Sequence, residues 1–187
     1  MRITFQLEPD DIANFQIALD RSRRLAACAD EVDVVEAARQ ALAAIELRKL
    51  PTYVRSRLCH IRRMLAMLED DAWALPDPER DEVLAALVYF SDPDDLIPDH
   101  LELIGLIDDA IMIEMLARRL HHMLRAHADF CAYREALGPL PMEREARVHY
   151  AGSLAQRRTS LHQRIRQRER VRARKPVDAL LERNEKS

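Results

Sequence analysis

Two prolines and a glycine inside an apolar, acidic stretch decide where this chain can and cannot be helical. Between Tyr89 and Ile113 the sequence reads YFSDPDDLIPDHLELIGLIDDAIMI, with Pro93, Pro98 and Gly105 set among seven acidic residues. The residue before a proline is pushed out of the α region, so Asp92 and Ile97 are expected at breaks, with Leu96 and Ile97 held in the core between them. Asp99 can cap a short turn over His100 to Ile104, and Gly105 can supply the left-handed residue that ends it. Asp108 and Asp109 then fall in the first turn of the next helix. That helix is predicted to run to about Leu137, where Gly138, Pro139 and Pro141 stop it.

The flanks read as helices too. The chain has only three glycines in 187 residues, few β-branched residues and abundant Ala, Leu, Arg and Glu. Residues 2–7, RITFQL, alternate as a strand does, and no second convincing strand follows. Pro9 suits the first turn of a helix whose apolar positions are Ile12, Phe15, Leu19 and Ala26. A second helix is predicted from about Asp33, with Val34, Val35, Ala38, Leu42 and Ile45 as its stripe. Pro51 opens a third, in which Val54, Leu58, Ile61, Leu65 and Leu68 share a face that Arg55, Arg62 and Arg63 mostly avoid. Asp77 and Pro78 form an N-cap and N1 pair for a fourth, carrying Val83, Leu84, Leu87 and Val88. Beyond Met142 the chain turns helical again and grows polar. After Leu154, Leu161 and Ile165 little apolar surface remains, so an exposed helix that frays is expected. The predicted fold is an all-α helical bundle with a short N-terminal strand and a polar, arginine-rich C-terminal helix or tail. Residues 1–156 form one helical domain and 157–187 a basic tail.

A net charge of −3 conceals two poles. From Glu69 to Glu114 fifteen acidic residues face the lone Arg80, and from Arg157 to Lys175 nine basic residues face only Glu169. Such poles can fold onto each other or be presented to partners. The three cysteines, Cys28, Cys59 and Cys131, form no CxxC pair and suit reduced thiols that pack in a core. The N-terminus lacks the apolar run of a signal peptide. The longest uninterrupted apolar run, Val83 to Phe90, is far below the roughly 18 to 20 residues that span a bilayer. A soluble, cytoplasmic protein is expected.

The pattern AALVYFSDPDDLIPDHLELIGLIDDAIMI resembles the YkvA-like family, bacterial domains of unknown function that share D-L-I-P-D, a glycine some six residues on, and D-D. Asp95, Leu96, Ile97, Pro98, Asp99, Gly105, Asp108 and Asp109 carry the resemblance, within about Val83 to Arg118. It implies no activity, substrate or cofactor. Some family members carry the domain in apolar, membrane-associated settings; this chain differs in having Asp94, His100 and Glu102.

Three groups of residues invite a functional reading. Asp95, Asp99, Asp108 and Asp109 could hold Mg²⁺ or Ca²⁺, since hard ions want several oxygens converging from a turn and a helix start. Capping of the same turn and helix explains them equally simply and ranks first. Catalysis would need a nucleophile or base, for which the stretch offers only Ser91 and His100. His121, His122 and His127 do not share a helical face as an i, i+4 pair would, and no cysteine completes a set with them. Glu114 and Arg118 have the favourable i, i+4 order of a self-satisfied pair, and Met112, Met115 and Met123 read as core filler. The basic run, with Arg164, Arg166, Arg168, Arg170, Arg172 and Arg174, can neutralise phosphates in a sequence-independent way. It has no interleaved aromatic to stack on bases, and 26 arginines against 3 lysines make arginine a habit of the whole chain. Contact with protein or with a second copy is therefore the first reading of the tail, and nucleic acid the second. Taken together, these features describe a non-enzymatic structural or interaction module, with a metal-binding or metal-dependent enzyme as the alternative and an accessory nucleic-acid binder as the third reading.

Overall fold

The structure, a computed structural model, describes residues 9–45, 50, 52–91 and 113–173. Every regular element among them is helical: α1 (Pro9–Ala26), α2 (Glu31–Ala44), α3 (Thr52–Leu68), α4 (Asp77–Ser91), α5 (described over 113–119), α6 (His121–Leu137) and α7 (Arg144–Ala173). The all-α reading holds. The strand expected at 2–7 and the Pro/Gly-interrupted stretch at 92–112 lie outside the described residues. No described helix is long and apolar enough to cross a membrane. By packing the chain divides into two compact units, 1–121 and 122–187.

The first unit is built around α4. Val83, Leu84, Ala85, Ala86 and Leu87 are all buried, five consecutive residues that cover every side of a helix, so α4 must be surrounded rather than laid on a surface. Helices α1, α2 and α3 all pack against it. Along α1, Phe15, Leu19 and Ser22 are buried at i, i+4 and i+7. Phe15 meets Tyr89 edge-on at 6.0 Å and Arg23 reaches Glu82 at 2.7 Å, so α1 and α4 run antiparallel. Helix α2 begins two residues before its predicted start because Asp30, in extended backbone, accepts from the Val32 N–H at 2.9 Å and caps it. Helix α3 buries the predicted stripe and adds Met64 and Met67, while Arg55, Arg62 and Arg63 are exposed. After α3, Asp70 organises a turn in which its carbonyl and its carboxylate both accept from the Trp73 N–H. That turn sets Trp73 fully inside and puts Ala74 in the left-handed region, at φ 46°.

Two expectations are corrected here. The helix predicted from Asp108 to Leu137 is not continuous through its described part. It bends at Leu120, although the Leu120 N–H still donates to the Leu116 carbonyl at 2.9 Å. The cysteines are not core residues: Cys28 lies exposed in the turn after α1, Cys59 is exposed beside the α3 stripe, and Cys131 is half-buried.

The second unit is an antiparallel helical hairpin. Gly138, at φ 77°, ends α6 in the conformation glycine adopts without strain, and the Tyr150 hydroxyl donates to its carbonyl at 3.3 Å. Further from the turn, Arg157 lies over the Tyr133 ring at 5.5 Å. Near the open end His122 approaches Glu169 at 3.3 Å, so contacts descend one helix as they ascend the other. Leu161 and Ile165 of α7 are each only 1% exposed. The basic segment expected as a tail from 157 is therefore docked at least to Ile165, within a helix that runs unbroken from Arg144 to Ala173, and beyond Ile165 the residues at 166–168, 170 and 171 are exposed as expected.

Burial among Arg158 and Arg166 pushes the His162 pKa down from 6.5 to about 4, burial being the larger cause. The fold thus favours neutral His162, and the unfolded chain takes up the extra proton between those values. Stability should fall as pH drops from about 6.5 to about 4, and His162→Gln should remove part of that fall in thermal melts; identical wild-type and variant profiles would refute the assignment. Leu161→Ala should destabilise by about 2–5 kcal/mol in denaturant titrations, whereas a free arm would lose almost nothing.

Candidate functional site

Three acids of the pole, Glu69, Glu82 and Glu114, and Glu31 of α2 pair with arginines within the first unit. Glu31 holds Arg80 through two hydrogen bonds of 2.6 Å, and that pairing lowers the Glu31 carboxyl below its ordinary value. The same guanidinium donates to the Leu68 carbonyl at 3.2 Å. Glu82 receives both Arg23 of α1 and Arg119 at 3.0 Å, and Glu69 pairs with Arg39 of α2. Glu114 takes Arg118 at 2.8 Å, as the i, i+4 spacing predicts, and also Arg57 of α3 at 3.3 Å. The Arg118 hydrogen bond lowers the Glu114 pKa against the opposing effect of burial. Nearby, His60 has its pKa lowered by burial and then by Arg63, and its buried Nδ1 makes no hydrogen bond among the described residues.

Asp95, Asp99, Asp108 and Asp109 all lie outside the described residues, as do His100 and Met112. Ser91 ends α4 with its hydroxyl donating to the Leu87 carbonyl at 2.9 Å, a helix-end bond. Met115 is half-buried and Met123 buried.

Of the three histidines near the α5–α6 bend, His121 is exposed and His122 is half-buried beside Glu169. His127 is buried, with its Nε2 3.4 Å from Cys131 Sγ, one helical turn on. An Arg134 guanidinium nitrogen lies 3.7 Å from the same sulfur. The expectation that no cysteine joins the histidines is corrected by this pair, whose i, i+4 spacing is visible in the sequence.

The arginine run folds as the outer half of α7, where alternate residues stand about 200° apart and cannot form one face. Arg164 and Arg168 turn to the same side. With His122, Arg125, Ala126 and Asp129 of α6 and the buried Leu161 and Ile165, they line a cleft of about 90 Å³ in the hairpin. Arg166 and Arg170 leave α7 in other directions and are exposed. The side chain of Arg172 and all of Arg174 lie outside the described residues.

The chain matches no curated protein and no solved structure. A family model described as "Protein of unknown function (DUF1232)" matches residues 82–115, which takes in the later part of α4, the acidic stretch and the start of described α5. Over residues 82–115, where its sequence resembles the YkvA-like proteins, the chain is similar to the DUF1232 family, whose function is unknown.

Proposed function

We propose that this protein is a non-enzymatic interaction module, cytoplasmic as its free thiols suggest, that associates with a second copy of itself through the tip of the α6–α7 hairpin. One observation carries the reading. Leu137, Leu140, Met142 and Val148, 37%, 57%, 92% and 69% exposed, crowd into the twelve residues around that turn. Large apolar side chains gathered at one exposed place mark a contact surface rather than ordinary surface scatter. The flanking charges are self-complementary: Glu143, Arg144, Glu145 and Arg147 are exposed acids and bases in equal number. In a two-fold contact the same patch meets itself, so each acid can face a base.

Sedimentation velocity over a range of concentrations tests the reading. Wild type should associate reversibly, and Met142→Ser combined with Val148→Ser should remain monomeric with an unchanged melt. A monomer at every concentration, or an association that the double variant retains, would refute it.

In such a module we assign Asp95, Asp99, Asp108 and Asp109 to backbone capping rather than to a cation. Asp99→Asn should then be mild and Asp99→Ala should cost about 0.5–2 kcal/mol. Saturating Mg²⁺ or Ca²⁺ should leave the melting temperature unchanged. A cation-dependent rise that disappears in Asp108→Asn or Asp109→Asn would instead establish the metal-binding alternative.

A further inference from the structure

In the first unit Arg23, Arg39, Arg57, Arg80, Arg118 and Arg119 each meet a carboxylate. In the hairpin cleft Arg125, Arg164 and Arg168 are exposed and have no hydrogen bond, ion pair or ring contact with any described residue. Three arginines from two helices, i and i+4 on α7 and one across from them on α6, thus line one small cavity, together with the buried Leu161, Ile165 and Ala126. Asp129 is the one carboxylate in the lining, which leaves a surplus of two positive charges before His122 is counted, and His122 already faces Glu169 at 3.3 Å.

Unpaired arginines lining one small cleft repel one another, and that repulsion is relieved by an anion of multiple charge that can accept from several forks at once. A phosphate group has that charge and those oxygens, and arginine forks match it in pairs. A single carboxylate offers one charge and two oxygens, too few for three forks. We propose that the cleft between α6 and α7 binds a phosphate group, with Arg125, Arg164 and Arg168 as its donors. The proposal is independent of self-association at the hairpin tip, since none of the cleft residues belongs to the turn.

The same chemistry is offered by a free phosphate anion and by a nucleic-acid backbone, and the test separates them. Full-length protein is titrated with inorganic phosphate, with pyrophosphate and with a duplex DNA of arbitrary sequence. The variants are Arg164→Gln/Arg168→Gln and Arg125→Gln, with Arg166→Gln/Arg170→Gln as a control outside the cleft. At least one probe should bind wild type. The cleft double variant should lose about tenfold or more of that affinity, and the control should keep most of it. All these positions are exposed, and melts confirm that the variants fold. Arg164→Lys/Arg168→Lys keeps the charge without the fork and should recover only part of the loss. Loss for pyrophosphate or phosphate assigns a small ligand. Loss confined to duplex, with the slope of log affinity against log salt reduced by about 2, assigns the phosphodiester backbone. If no probe binds, or if the control weakens binding as much as the cleft variant, the proposal is wrong and the arginines are a diffuse surface charge.

Discussion

A helix that is apolar on every side has to be wrapped, and α4 imposes that requirement on the first unit. Its buried run from Val83 to Leu87 includes two alanines, Ala85 and Ala86, small enough for neighbouring backbones to come close. Helices α1, α2 and α3 supply the cover, each offering one apolar stripe and one solvated face. The ion pairs are arranged around the same helix. Glu82 joins α4 to α1 through Arg23, and Arg80, also on α4, joins it to α2 through Glu31. These pairs are about one third exposed, so each adds little stability, and their contribution is orientation. The family match begins at Glu82, on the part of α4 that the rest of the unit encloses.

Charge is handled differently in the hairpin. Between Glu69 and Glu114, Glu69, Glu82 and Glu114 meet arginines drawn from several helices. Along α7 the imbalance persists, and the helical period distributes it. Arg157 settles on the Tyr133 ring and Arg134 on the Phe130 ring, each at 5.5 Å, while Arg164 and Arg168 are left beside the cleft. A chain that uses arginine everywhere thus has structural arginines and unpaired ones, and the difference lies in whether a carboxylate or an aromatic face stands within reach.

Much of the fold could be read from the residues because local rules dominate it. The α3 stripe from Val54 to Leu68 and the stop at Gly138 follow from the period of 3.6 and the left-handed tolerance of glycine. Elsewhere tertiary context decided. The bend at Leu120 has no proline or glycine to announce it. Leu161 and Ile165 are few for a helix whose other residues are mostly charged, and their burial depends on α6 lying antiparallel to α7. A boundary drawn where composition turns basic, at 157, falls inside that continuous helix. For the candidate sites the balance is similar. The i, i+4 relation of His127 to Cys131 and of Arg164 to Arg168 is written in the sequence, but Arg125, thirty-nine residues before Arg164, joins the cleft only through the hairpin.

If α4 organises the first unit, its backbone should open only when the whole unit unfolds. Native-state hydrogen exchange reads this directly, because amides in the last elements to open exchange at the free energy of global unfolding. The amides of Val83 to Leu87 should set the ceiling of protection for residues 9–119, with α1 and α2 opening at or below it. Exchange of α4 at a lower free energy than α1 or α2 would contradict the account.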